Sequence, residues 1–182
     1  MKLALTGLRV LVGLLFIGHG TQKLFGWFGG HGLEATGEAF DGMGLAPGKE
    51  KAALAGLSEA GGGALLAAGF ATPLAAAAIT GTMVQAIRTA HGDKGVWASD
   101  GGWEYNAVLI AIVLAVAEHG PGPISLDNAF GLKLHGPALA LGALAAGLVG
   151  PSLADGVLAK TVPTDQEASP ATESDTGEAA VA

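Results

Sequence analysis

Long apolar stretches separated by polar turns constrain this chain more than anything else in it. The first has its apolar centre at residues 10–18, within a segment reaching from about 3 to 27. Three more follow, at about 52–70, 73–90 and 103–117. Roughly 20 residues of α-helix, at ~1.5 Å each, cross the hydrocarbon of a bilayer. Composition points the same way. Only 14% of the 182 residues are charged and 50% are hydrophobic, whereas a soluble domain carries about 25% charge. Mean hydropathy is +0.48. The expected fold class is therefore an all-α membrane protein, built as an antiparallel four-helix transmembrane bundle. A fifth apolar run, residues 137–153, is uncharged and is expected to add a C-terminal apolar helix.

The 31 glycines travel with Ala, Leu and Val, the composition of helices that approach closely inside a membrane. Five acids without a basic partner (Asp165, Glu167, Glu173, Asp175, Glu178) sit in a Ser/Thr/Pro/Ala-rich tail, which is expected to be disordered. The domain reading is a membrane domain at 1–127, an additional apolar helix at 128–158 and the acidic tail at 159–182. No cluster of Lys and Arg exists, so no nucleic acid is expected as a partner. The absence of cysteine excludes a disulfide, a thiol nucleophile and a Cys-ligated cluster. Arg9 interrupts the N-terminal apolar run and no small-residue cleavage site follows it, so a retained membrane helix is expected rather than a signal peptide.

The first apolar run closes on HGTQKLFGWFGG, residues 19–30, with His19, Gln22 and Lys23 within five residues. In the loop that follows, Leu33, Thr36, Phe40 and Met43 recur at helical spacing, as in a short interfacial helix. The second run carries one charge, Glu59, followed by Gly61, Gly62 and Gly63, which suit close packing or a kink. Thr72-Pro73 is a helix restart, with Thr as N-cap and Pro at the first helical position. Gln85, Arg88 and His91 follow at three-residue steps, on roughly one face. Glu104, Tyr105 and Asn106 open the fourth run, and the GPGP at 120–123 stops it.

Four antiparallel spans place the end of the first, the start of the second, the end of the third and the start of the fourth on one side. Those ends hold His19, Gln22, Lys23, Glu59, Gln85, Arg88, His91, Glu104, Tyr105 and Asn106, and also Trp27, Trp97 and Trp103. The opposite side has only Arg9, Glu118 and His119 near its helix ends and reads as chemically plain. A charge within the membrane needs a partner facing the bundle interior. For Glu59 the first-choice partner is Arg88, because the second and third spans form a hairpin; Lys23 is second.

RVLVGLLFIGHGTQKLFGWFGGHGLE (residues 9–34), Glu59 before its glycine cluster, GGWEYN (101–106) and GPGPISLD (120–127) resemble the DoxX family, over roughly residues 5–127. The resemblance implies a small multi-pass protein of the bacterial inner (plasma) membrane, a four-helix bundle with a cytoplasmic N-terminus. The family name comes from a subunit associated with thiosulfate:quinone oxidoreductase, and related members are linked to membrane complexes handling oxidative or thiol stress.

Two readings of the polar end stand side by side. In one, His19, Gln22, Lys23, Glu59, Gln85, Arg88, His91, Glu104 and Tyr105 surround a pocket whose donors meet a quinone carbonyl or an oxyanion. In the other they are an interhelical hydrogen-bond cluster that fixes the bundle. The three tryptophans read as interface anchors. No spacing supports a haem between His19 and His91, or a metal site, so no cofactor is assigned to the chain itself and quinone is the ligand considered. The function expected is a membrane subunit of an oxidoreductase system, with lipid and the proteins of a membrane redox complex as partners. It would not be catalytic alone. A structural or assembly protein of the envelope and a small-solute or anion carrier are the alternatives.

Overall fold

The structure is a computed structural model that describes residues 2–161; the expected acidic tail from 162 onward lies outside the described residues. The described residues are helical, without strands. Five longer helices, α1 (Lys2–Phe25), α3 (Gly48–Ala68), α4 (Thr72–Ala86), α5 (Glu104–His119) and α7 (Pro137–Thr161), are joined by turns and two shorter helices. These are α2 (Gly32–Gly42) and α6 (Leu126–Ala129). α1 and α7 are long and apolar enough to cross a membrane by length and composition; α3, α4 and α5 do not meet that test.

α1 packs most extensively on α3, α3 on α4, α4 on both α5 and α7, and α2 on the start of α3. The α1–α3 seam is made by glycines at a seven-residue spacing on each helix, Gly13 and Gly20 against Gly56 and Gly63. A Cβ on Gly13 would lie 2.6 Å from the Gly63 carbonyl, and one on Gly63 would lie 2.6 Å from the Gly13 carbonyl. Only glycine permits backbones this close. Of the glycine cluster, Gly63 faces α1 and Gly62 faces Ala78 and Ile79 of α4, whereas Gly61 meets nothing within 4 Å. Val12, Phe16, Leu66, Ile79, Val113 and Val116 form the centre of the apolar core.

Three expectations need correction. Thr72 is not the N-cap of α4. Ala71 holds that place in a left-handed conformation, φ 47°, and the capping oxygens come from Asp127. Its carboxylate accepts from the Ala71 N–H at 2.9 Å, the Thr72 N–H at 3.3 Å and the Thr72 hydroxyl at 2.8 Å. A carboxylate at a helix N-terminus satisfies orphan donors and complements the helix dipole. Secondly, the side opposite the polar cluster is not plain. Arg9 and Asp127 are each 1% exposed. The guanidinium donates to the carbonyls of Pro121 at 2.7 Å and Leu66 at 2.9 Å, and also to those of Ala67 and Ile124. The 120–127 loop folds back over the end of the bundle, with the Asp127 N–H on the Gly69 carbonyl, and supplies acceptors that α1 and α3 alone lack. Thirdly, the fifth apolar segment does not stop near 153. α7 continues through Pro151 to Thr161, so residues 159–161 of the expected tail are helical.

α7 is held along its length. Gly147 lies against Thr80 of α4, where an added Cβ would come within 2.5 Å of the Thr80 Cβ. Arg88 donates to the Ser152 Oγ at 3.1 Å and the Leu148 carbonyl at 3.0 Å. Lys51 of α3 pairs with Asp155 at 2.9 Å.

Gly63→Ala should lower the thermal midpoint in detergent by an amount equivalent to about 1–3 kcal/mol, because its Cβ meets backbone rather than a movable side chain. Gly61→Ala should leave the midpoint unchanged or raise it. Equal effects at the two positions would refute the glycine seam. Arg9→Met removes the donor to four carbonyls while keeping much of the apolar stem. It should cost about 3 kcal/mol, the scale of breaking a buried charged cluster, measured by the same melts. A midpoint within error of the parent would refute the latch.

Candidate functional site

The cavity that gathers the polar ends has a volume of about 460 Å³ and lies between α1, α3, α4 and α5, with α2 over its side. α1 contributes Phe16, His19 and Lys23; α3 contributes Glu59. His19 reaches the wall because it follows Phe16 and precedes Lys23 at helical steps, on the face that flanks the glycine seam. Glu59 is 5% exposed. It is neutralised by Lys23, whose Nζ donates to Glu59 Oε2 at 2.6 Å.

Lys23 is therefore the partner of Glu59, and Arg88 is not. The reason is local geometry. Residues Ile87–His91 form a π turn at the end of α4, a wider winding than the α-helix. The three-residue steps from Gln85 to Arg88 to His91 no longer fall on one face. Arg88 turns outward to α7, as described above. His91 lines the cavity and donates from Nδ1 to the Gly101 carbonyl at 2.7 Å. Gln85 also lines it.

Of the nine residues expected at a pocket, His19, Lys23, Glu59, Gln85, His91 and Tyr105 line this cavity, and Gln22, Arg88 and Glu104 do not. Gln22 accepts from His19 Nδ1 at 3.1 Å and donates to the Phe28 carbonyl at 3.3 Å, tying His19 to the turn around Trp27. Glu104 accepts from the Ala98 N–H at 2.7 Å and so organises the loop before α5. The aromatics behave differently from one another. Trp27 and Trp97 are exposed and Trp103 is half-buried; Trp27 stacks at a tilt on Phe25, with ring centroids 5.2 Å apart.

The cavity wall also holds residues outside the expected set, among them Phe40, Met43, Leu45 and Asn106. Phe40, Met43 and Leu45 cover the side of the cavity from α2 and the turn after it, and Asn106 of α5 lies in its wall. The stripe of Phe40 and Met43 was the signal for the first two. Asn106 is 5% exposed and its Nδ2 donates to the Met83 sulfur at 3.5 Å. A buried amide on an apolar helix beside Tyr105 was the signal for it. Among the described residues no group of three or more His, Asp or Glu is disposed to hold a metal.

A second cavity of about 660 Å³ lies at the Arg9 end, with His119, Asn128 and His135 on its wall. Its buried carboxylate, Asp127, already caps α4, so its polar groups serve the fold.

Lys23→Met should destabilise the protein by about 1–3 kcal/mol. The upper range for a fully buried pair is not expected, because the Lys23 side chain is 26% exposed and solvent screens it. Combining it with Glu59→Met should restore most of the lost stability, since no uncompensated carboxylate then remains. Additive losses in detergent melts would show that the pair does not couple.

Comparisons with known proteins give one finding. No curated protein and no solved structure matches the chain. A family model, DoxX, matches residues 4–92, which take in α1 to α4 with the π turn and end before GGWEYN and GPGPISLD. That segment, which carries the Arg9 latch, the glycine seam, the Lys23–Glu59 pair and His91, is similar to the DoxX family.

Proposed function

We propose that this chain is a multi-pass protein of the bacterial inner membrane, with α1, α3, α4 and α5 as a transmembrane bundle and α7 as a fifth membrane helix. We further propose that it serves as the membrane subunit of a quinone-linked oxidoreductase system, with the cavity as the seat of the quinone ring. The observation that carries this reading is the Lys23–Glu59 pair, its carboxylate buried, set in a largely apolar wall with a few other polar groups. Ligand sites are concave, mostly apolar and furnished with a few placed polar groups, at volumes of roughly 300–1,000 Å³. The cavity fits that description. Phe16, Met83 and Leu109 offer apolar surface to a ring, while Lys23, His91, Tyr105 and Asn106 offer donors to its carbonyls.

Quinone reduction takes two electrons and two protons. Glu59 and His91 are groups of the type that hands protons over, and the electrons come from a redox centre on a partner protein. With the N-terminus cytoplasmic, as the resemblance implies, the cavity opens toward the outer side of the membrane. The anion-carrier alternative loses its two cations, since Lys23 is engaged by Glu59 and Arg88 by α7. Support for membrane residence comes from the match to the DoxX family over residues 4–92 and from the two long apolar helices.

The test uses the full chain purified in mild detergent from native membranes. A ring-only benzoquinone should raise the thermal midpoint; at about 100 times Kd the stabilisation is about 2.7 kcal/mol. Glu59→Gln and Lys23→Ala, where they fold, should abolish that shift, and a redox protein should co-purify. If folded variants keep the full shift, or the parent shows none at saturation, the quinone reading fails.

A further inference from the structure

We infer that the ligand of this cavity is an amphiphile with a long apolar tail, and that the tail leaves the bundle sideways through a groove between α3, α4 and α7. This rests on the quinone reading of the cavity and names the class of quinone: one bearing a polyprenyl chain.

A smaller space of about 210 Å³ lies along α4, between α3 and α7. It exists because α3 and α7 both pack on α4 but have little contact with each other. Its walls are small residues: Ala55 of α3, Ala77, Ala78 and Gly81 of α4, and Ala146 and Gly150 of α7. A Cβ on Gly81 would stand 3.8 Å from the nearest atoms of α7, an ordinary van der Waals contact, so this glycine leaves about a methyl group of room beside the tighter Gly147–Thr80 crossing. Phe40, Leu45, Thr82 and Gln85 line both this groove and the polar cavity. The two spaces therefore meet at one lip, formed by the end of α2 and one turn of α4.

The groove has a direction. Lys51 and Asp155 lie in its wall and bridge α3 to α7, so a charged tie closes it at the polar end. Apart from Gln85 at the lip, the rest of its lining is apolar or small. Its outer wall, α7, has only 11% of its most apolar stretch buried, so the groove opens onto an apolar flank. A ring among the donors of the cavity would thus have its chain led past Phe40 and Gln85 into a slot lined by methyl groups, and from there into lipid. A head-only ligand would leave the slot without purpose. α7, the outer wall of the slot, lies outside the segment matched to the family.

Ala146→Phe and Ala55→Phe block the slot from opposite walls without touching the cavity. The full chain would be placed in lipid nanodiscs. Binding of a ring-only benzoquinone and of the same ring with a polyprenyl tail would be measured for the parent and both variants, each checked by its thermal midpoint. The parent should bind the tailed compound about tenfold or more tighter, the scale of burying a few apolar carbons. Both variants should lose that gain and keep the ring-only affinity. A tail gain that survives both blocks, or a parent that binds the two compounds alike, overturns the slot while leaving the cavity reading intact. A parent that binds neither compound overturns the cavity reading and the slot with it.

Discussion

The close approach of α1 and α3 sets the frame on which everything else hangs. Gly13 and Gly20 meet Gly56 and Gly63 at backbone distance, and dispersion between two helices in such contact is large in sum although small per atom pair. A glycine seam has no side chains to set its register, and here charge does that work from both ends. At one end Arg9 grips the carbonyls of Leu66 and Ala67 at the close of α3. At the other, Lys23 holds Glu59. Sliding one helix by a turn would bury Arg9, Lys23 and Glu59 without partners, and each such group costs several kcal/mol in an apolar interior. The two charged contacts fix one register, and the glycines make that register tight.

The cavity follows from the same frame. α1 and α5 touch little directly. At the Arg9 end the guanidinium spans the gap to the Pro121 and Ile124 carbonyls beyond α5. At the other end nothing equivalent crosses between them, and the space left between Phe16 and His19 on one helix and Tyr105 and Asn106 on the other is the cavity. The π turn at the end of α4 adds His91 to that wall and removes Arg88 from it. π turns within helices recur at functional sites, and here one residue-wide slip separates a wall residue from a tie to α7.

The order and approximate places of the helices were legible in the sequence because apolar periodicity and Gly/Pro punctuation act locally; the full length of α7 was not. The gathering of His19, Lys23, Glu59, Gln85, His91 and Tyr105 was legible too, since alternating direction alone sends those helix ends to one pole. What could not be read was pairing. Arg88 and Lys23 were equivalent cations on paper, and a π turn that the residues do not announce decided between them. The Arg9–Asp127 pole was missed for a related reason. Asp127 sits in the four-residue helix α6, 118 residues from Arg9, and a short segment that folds back over a bundle end leaves no periodic trace. One signal was present: an arginine interrupting an apolar run needs acceptors, and a Gly/Pro-rich loop with bare carbonyls is a source of them.

α7 bears on where the molecule resides. It is 25 residues long, with Leu141 and Leu153 each about two-thirds exposed, and 11% of its most apolar stretch is buried. In water such a helix would present a continuous apolar surface well beyond what single scattered exposed leucines explain. Yet it is not loosely attached: Thr80 with Gly147, Arg88 with Ser152 and Lys51 with Asp155 secure it at three levels. A helix so firmly docked and so little covered fits a surrounding medium that is itself apolar. The same is true of α1, whose Leu11, Leu14 and Leu15 are about half exposed. These two flanks are long apolar outer surfaces, the kind of surface a membrane protein presents to lipid.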